Sequence, residues 1–197
     1  RSLINVKCAG GALLKGLCSG DAWSVSGYLK ADQLQVRLMH CGAFNHTQLG
    51  GQDTFRWEGS IQGETLEIEM PIGLDCELDY RHIILTAAAQ FERELACETC
   101  HALAGIRAPG INADQIVLVN GPEVRLDYLE GSRIQIVHQF DADRLFQGIA
   151  KQRRYQSASG GRDLAQVKSI EGDCVQLAFT RAETVAGAQV VIGPMCE

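Results

Sequence analysis

The chain has no apolar run approaching the roughly 18 to 20 residues that a membrane-spanning helix requires, so no such helix is expected. It is short of positive charge, with 18 Lys and Arg against 24 Asp and Glu and a net charge of -6. That balance argues against a basic stripe of the kind that binds nucleic acid. Aromatic residues make up only 6% of the 197 positions and prolines number 4, whereas there are 21 glycines. This composition suits many tight turns better than long helices. Apolar residues reach 46%, ample for a buried core in one large domain or two small ones. No secretory leader is legible. Position 1 is Arg rather than Met, which is compatible with a processed or removed segment, and a virion or extracellular location is favoured over a cytoplasmic one.

Catalytic constellations are also missing. Gly10-Gly11 precedes no Lys-Ser/Thr pair of a phosphate loop, and no nucleophile sits on a glycine-bounded turn. His40, His46, His82 and His138 are scattered. His40 and Cys41 are adjacent, but neighbours along a strand point to opposite faces and do not meet. The one basic run, Lys151-Gln-Arg-Arg154, reads as a solvated loop, and the sequon Asn45-His-Thr47 counts weakly for export. A non-enzymatic role follows from this reading.

What is present is alternation. Leu34-Gln-Val36-Arg-Leu38, Leu66-Glu-Ile68-Glu-Met70, Ile134-Gln-Ile136 and Val175-Gln-Leu177-Ala-Phe179 place an apolar residue at every second position, the period of a strand with one buried face. The same punctuation precedes each run. Trp23 to Leu38 matches Phe55 to Met70 at an offset of 32, laying Gly27 on Gly59. Two further copies of the core, Leu129-Glu-Gly131-Ser-Arg-Ile134-Gln-Ile136 and Ile170-Glu-Gly172-Asp-Cys-Val175-Gln-Leu177, match Ile61-Gln-Gly63-Glu-Thr-Leu66-Glu-Ile68. Glycine tolerates the positive φ of a tight turn, so each copy reads as an antiparallel hairpin.

Between the hairpin sets, Ala87 to Ala104 is rich in Ala, Glu, Gln and Leu and stops at Gly105, with Pro109 beyond and Thr86 as an N-cap. This spacing predicts one helix over about 87–104. The expected fold is mainly β, with antiparallel hairpins forming two small barrel- or sandwich-like lobes: residues 1–105, ending in the helix, and residues 106–197. Gly160-Gly161 marks a loop in the second lobe.

The densest chemistry is Cys97-Glu-Thr-Cys100-His101. On a helix, Cys97, Cys100 and His101 would project from neighbouring positions, and with Cys76 they form a candidate metal-ligand set for zinc or an iron-sulfur cluster. A Cys-x-x-Cys-His run is also the attachment pattern of c-type haem, and a redox dithiol is a further alternative. The eight cysteines, an even number, would equally fit the four disulfides of a secreted binding protein.

The C-terminal third runs through Gly148, Ser159-Gly-Gly161, Val167-Lys-Ser-Ile170-Glu-Gly-Asp-Cys-Val175-Gln-Leu177 and Thr184-Val-Ala-Gly187-Ala-Gln-Val190-Val-Ile192-Gly-Pro-Met-Cys196. This rhythm resembles the small β-barrel modules of tailed-bacteriophage tail-tip and baseplate hub proteins, some of which carry cysteines that bind an iron-sulfur cluster. Cys196 is the position that matches. The resemblance implies a structural subunit of a virion tail or baseplate, oligomeric in context, whose exposed strand edges dock other protein subunits.

Overall fold

The computed structural model describes residues 2–42, 55–120, 123–138 and 164–197. Asn45-His-Thr47, Gly148, Lys151 to Arg154 and Ser157 to Arg162 lie outside the described residues. Nine strands follow one another: β1 (Ser2–Cys41), β2 (Phe55–Ile68), β3 (Ile72–Leu85), β4 (Ala89–Phe91), β5 (Leu95–Ala102), β6 (Ile106–Val119), β7 (Arg125–Val137), β8 (Ala165–Leu177) and β9 (Thr180–Ile192). All the pairings between them are parallel, and they join the nine strands into one sheet.

The architecture is a parallel β-solenoid of about 7 turns, not antiparallel hairpins closed into barrel or sandwich lobes. Register shows why. Residues stack on residues 17 positions later from β2 to β3 (Trp57 on Leu74), 16 later from β5 to β6 (Leu95 on Ile111), 18 later from β6 to β7 (Ile116 on Ile134) and 15 later from β8 to β9 (Val175 on Val190). Each coil is therefore one circuit of the chain laid on the circuit before it. The long strand β1 already contains more than one circuit. Ser24 Oγ lies 2.8 Å from His40 Nδ1, and Arg37 Nε donates to Asp21 at 2.6 Å, both pairs 16 residues apart. Two offsets are longer, 28 from β1 to β2 (Leu29 on Trp57) and 41 from β7 to β8 (Leu126 on Val167).

A single coil has an apolar side too small to exclude water alone, so stacking is what makes a core. Met39, Leu66, Ile83, Cys100, Ile116, Ile134, Val175 and Val190 form one continuous ladder. A second, two residues further along each strand, runs Cys41, Ile68, Leu85, Ala102, Leu118, Ile136, Leu177, Ile192. From Met39 to Val175 the first ladder is buried throughout. Each fully buried Leu or Ile contributes about 1.5–3 kcal/mol, so the ladders dominate cohesion. The outward residues carry ion pairs such as Lys30–Glu58 (2.8 Å) and Lys168–Asp127 (2.6 Å). At this exposure they add little.

The repeat recognised in the sequence is the stacking unit itself. Leu129, Gly131, Ile134 and Ile136 pair in register with Ile170, Gly172, Val175 and Leu177. The offset of 32 is not a stacking register, since Ala31, not Gly27, pairs with Gly59. The glycines occupy corners of a coil rather than hairpin tips. A Cβ on Gly59 would fall 1.6 Å from the Ala31 carbonyl oxygen, at φ +113°. Gly131, Gly172 and Gly187 form a column at one corner, and a Cβ on Gly172 would fall 2.5 Å from the Gly131 oxygen.

The expected helix over 87–104 is replaced by β4 and β5, joined by a bend. Leu95, Cys100 and Ala102 face the core between β3 and β6, and the flanking coils override the helix propensity of the Ala- and Glu-rich segment. Gly105 leads into β6, which takes up residues 106–110 and pairs with β4, β5 and β7.

Gly59 and Gly73 make a matched pair of tests. A Cβ on Gly73 meets only the Phe55 oxygen at 3.7 Å, an ordinary contact. Gly59→Ala is expected to lose about 2 kcal/mol or more of stability, and Gly73→Ala to stay within about 1 kcal/mol of the parent in either direction. Urea unfolding followed by far-ultraviolet circular dichroism measures both.

Candidate functional site

Strand geometry separates the residues of the Cys97 to His101 segment. Cys100 points inward, stacked between Ile83 and Ile116 and completely buried. His101 takes the opposite face, in register between Ile84 and Val117. It is half-buried, and burial, then the neighbouring His82, lowers its pKa. His82 Nδ1 lies 3.0 Å from Thr99 Oγ1. Cys97 is half-buried, in register with Ala113. The two thiols split in proton affinity: interaction with the Cys100 thiol lowers Cys97, whereas interaction with Cys97 and complete burial raise Cys100.

Cys76 is buried on β3, paired with Gly59, and burial pushes its pKa up to about 12. Cys97, Cys100, His101 and Cys76 do not form a group of three ligand atoms within 4.8 Å of one another; among the described residues that grouping occurs at His40, Glu67 and Glu69. All eight cysteines are free thiols. The arrangement at β5 is a buried core thiol with one partly accessible neighbour.

The surface with the clearest unfinished chemistry is the last coil. Val175 and Leu177 on β8 are each 2% exposed, yet the next rungs of the same two ladders, Val190 and Ile192, are 39% and 58% exposed. Val191 and Met195 add 49% each. The chain turns at Phe179 and Met195, both at positive φ, and its tail folds back over the first residues of β9. The Glu197 N–H donates to the Thr180 carbonyl at 2.9 Å, the Ala182 N–H donates to the Glu197 carbonyl at 3.0 Å, and Arg181 pairs with the Glu197 carboxylate. That cover ends near Ala182, leaving Val185 to Ile192 with a partner only on the β8 side among the described residues. At the other end, Leu13 and Leu17 of β1 are 65% and 55% exposed.

No family model, no curated protein and no solved structure matches the chain. The residues behind the resemblance to tail-hub modules, Val167 to Leu177 and Thr184 to Cys196, form β8, most of β9 and the tail, the last two coils of the stack. The run Val190-Val-Ile192 is continuously apolar, as are Ile83-Ile84-Leu85 of β3 and Ile116 to Val119 of β6, so the sequence alone does not single out the last coil. The His40, Glu67 and Glu69 grouping had no contiguous signal, because 27 residues separate the first two.

Thiol reactivity tests this placement. With iodoacetamide at pH 8 and mass mapping, Cys174 is expected to react first, Cys97 before Cys100, and Cys41, Cys76 and Cys100 only after unfolding. Cys41 and Cys76 each sit at about 12 in the folded chain against an ordinary 9.0. The unfolded chain therefore releases these protons first, and stability present below pH 9 is lost progressively as the pH climbs toward 12. Unfolding midpoints between pH 8 and 11 should fall, and fall less in a Cys41→Ala, Cys76→Ala chain.

Proposed function

We infer that this chain is a structural assembly protein that stacks end-on against a second copy of itself, the last coil of one chain meeting the first coil of the next. The carrying observation is the pair of core ladders that run buried through the stack and then stop on exposed Val190 and Ile192. A surface with that rung spacing and a strand edge beside it suits another β-coil, which adds both backbone hydrogen bonds and aliphatic contact.

Charge favours the opposite end of a copy as the occupant. Arg1, Lys7 and Lys15 precede the first acidic residue, Asp21, whereas the last coil and tail contain Glu183 and Glu197 beside a single Arg181. Contact between two different ends is heterologous, so it repeats into an open row instead of closing as a dimer. A virion tail component is one form of this reading, and it uses the same edge.

Purified full-length chain should show concentration-dependent growth in light scattering and elongated particles in negative-stain micrographs, with an increment of about 34 Å per chain from about 7 coils at the 4.7–4.9 Å interstrand spacing. Val190→Lys with Ile192→Lys should leave a folded monomer by circular dichroism and sedimentation. A parent chain that stays monomeric at every concentration sinks the self-stacking reading. Assembly that survives the double substitution moves the contact away from β9.

A further inference from the structure

Near the first coils, side chains from two neighbouring circuits converge on the outer face. His40 and Glu67 are register partners on β1 and β2. Glu69 follows Glu67 by two residues, with inward-facing Ile68 between them, so both carboxylates leave the same side. The Glu69 N–H donates to the Cys41 carbonyl at 2.7 Å, which pins Glu69 beside His40. One ligand atom from each of the three residues lies within 4.8 Å of the other two, and His40 Nε2 is 3.1 Å from Glu69 Oε1. All three residues are partly buried.

The imidazole is held from behind. Its Nδ1 lies 2.8 Å from Ser24 Oγ, one circuit earlier. With the proton on Nδ1, the ring donates to Ser24 and presents the Nε2 lone pair to the carboxylates, the arrangement that orients metal-ligating histidines. Gly42 leaves room for the ring, because a Cβ there would stand 2.3 Å from His40 Cε1.

Space for an occupant lies beside the ligands. His40 and Glu67 line a cavity of about 400 Å³ together with Trp23, Ser24, Met39 and Thr65. An open cavity on the outer face beside three convergent ligands leaves room for a further oxygen ligand on a bound ion.

We propose that His40, Glu67 and Glu69 form a binding site for a divalent transition metal ion of the zinc class, with one coordination position open toward the outer-face cavity beside Ser24 and Thr65. Two carboxylates neutralise the ion's charge, and the imidazole favours a transition metal over magnesium or calcium, which prefer all-oxygen shells. The site is independent of end-on stacking, since it lies on the outer face of internal coils. It also uses none of the cysteines, although thiols would be the default expectation for zinc in a chain with eight of them.

The test uses Zn²⁺ and Co²⁺ on the full-length chain, with Cys97→Ser, Cys100→Ser as the background that removes the adjacent thiol pair. Calorimetry with Zn²⁺ should give one equivalent bound per chain in parent and background alike, and the Co²⁺ complex should show ligand-field bands without thiolate charge transfer. His40→Gln or Glu67→Gln should weaken binding by more than about 100-fold, and Ser24→Ala by about 10- to 100-fold, the range for losing a group that orients a ligand. Each variant is checked by circular dichroism in the absence of metal, and Zn²⁺ should raise the unfolding temperature of the parent but not of Glu67→Gln. Absence of Zn²⁺ binding to the parent overturns the site. So does binding that persists unchanged in both His40→Gln and Glu67→Gln, or cobalt spectra dominated by thiolate bands that vanish in the Cys97→Ser, Cys100→Ser background.

Discussion

Everything in this molecule depends on like residues of successive circuits lying directly above one another. A coil of 15 to 18 residues has no interior of its own, and its apolar side chains are dry only because the next coil repeats them at the same position. The ladders through Ile83, Cys100 and Ile116 and through Leu85, Ala102 and Leu118 express that rule in the middle of the stack. The corner glycines obey it too, because the backbone of one circuit passes so close to the next that a side chain would strike a carbonyl. The same rule makes the terminal coils different in kind, since each has only one neighbour to complete its core.

Much of this was legible in the residues, and the part that was not has a physical cause. Period-two alternation identifies a strand with one dry face, and it did so correctly for Leu66 to Ile68, Ile134 to Ile136 and Val175 to Leu177. Alternation is silent on direction, because an antiparallel ribbon and a parallel coil both expose every second residue. Glycine is equally ambiguous: the Gly131 and Gly172 that suggest hairpin tips serve at bends where the chain turns without reversing. The distinguishing sign was the spacing between repeats. Copies matching at 41 residues, with Gly on Gly and Ile on Val, are stacked rungs, and direct residue-on-residue equivalence is what a solenoid needs and a set of hairpins does not.

The Ala- and Glu-rich stretch from 87 to 104 shows the limit of local propensity. Its composition favours a helix by tenths of a kcal/mol per residue, about 0 to 0.7. Leaving it out of the stack would instead expose the inner rungs of β3 and β6, and burying each rung is worth several times more. The helix that would have presented Cys97, Cys100 and His101 from neighbouring positions is absent, and in a strand Cys100 and His101 look in opposite directions. Conversely, His40, Glu67 and Glu69 looked unrelated along the chain and are brought together only by the circuit length between β1 and β2.

Contacts confined to adjacent circuits have a mechanical corollary. A chain held at its two ends carries load through one inter-coil seam after another, with no single clamp sharing it across the whole stack. Under tension it should peel in instalments of about 17 residues, each freeing roughly 55–60 Å of extended polypeptide. Larger releases belong at the two seams where the offset rises to 28 and 41, so a force trace would read the order of coils as a ruler.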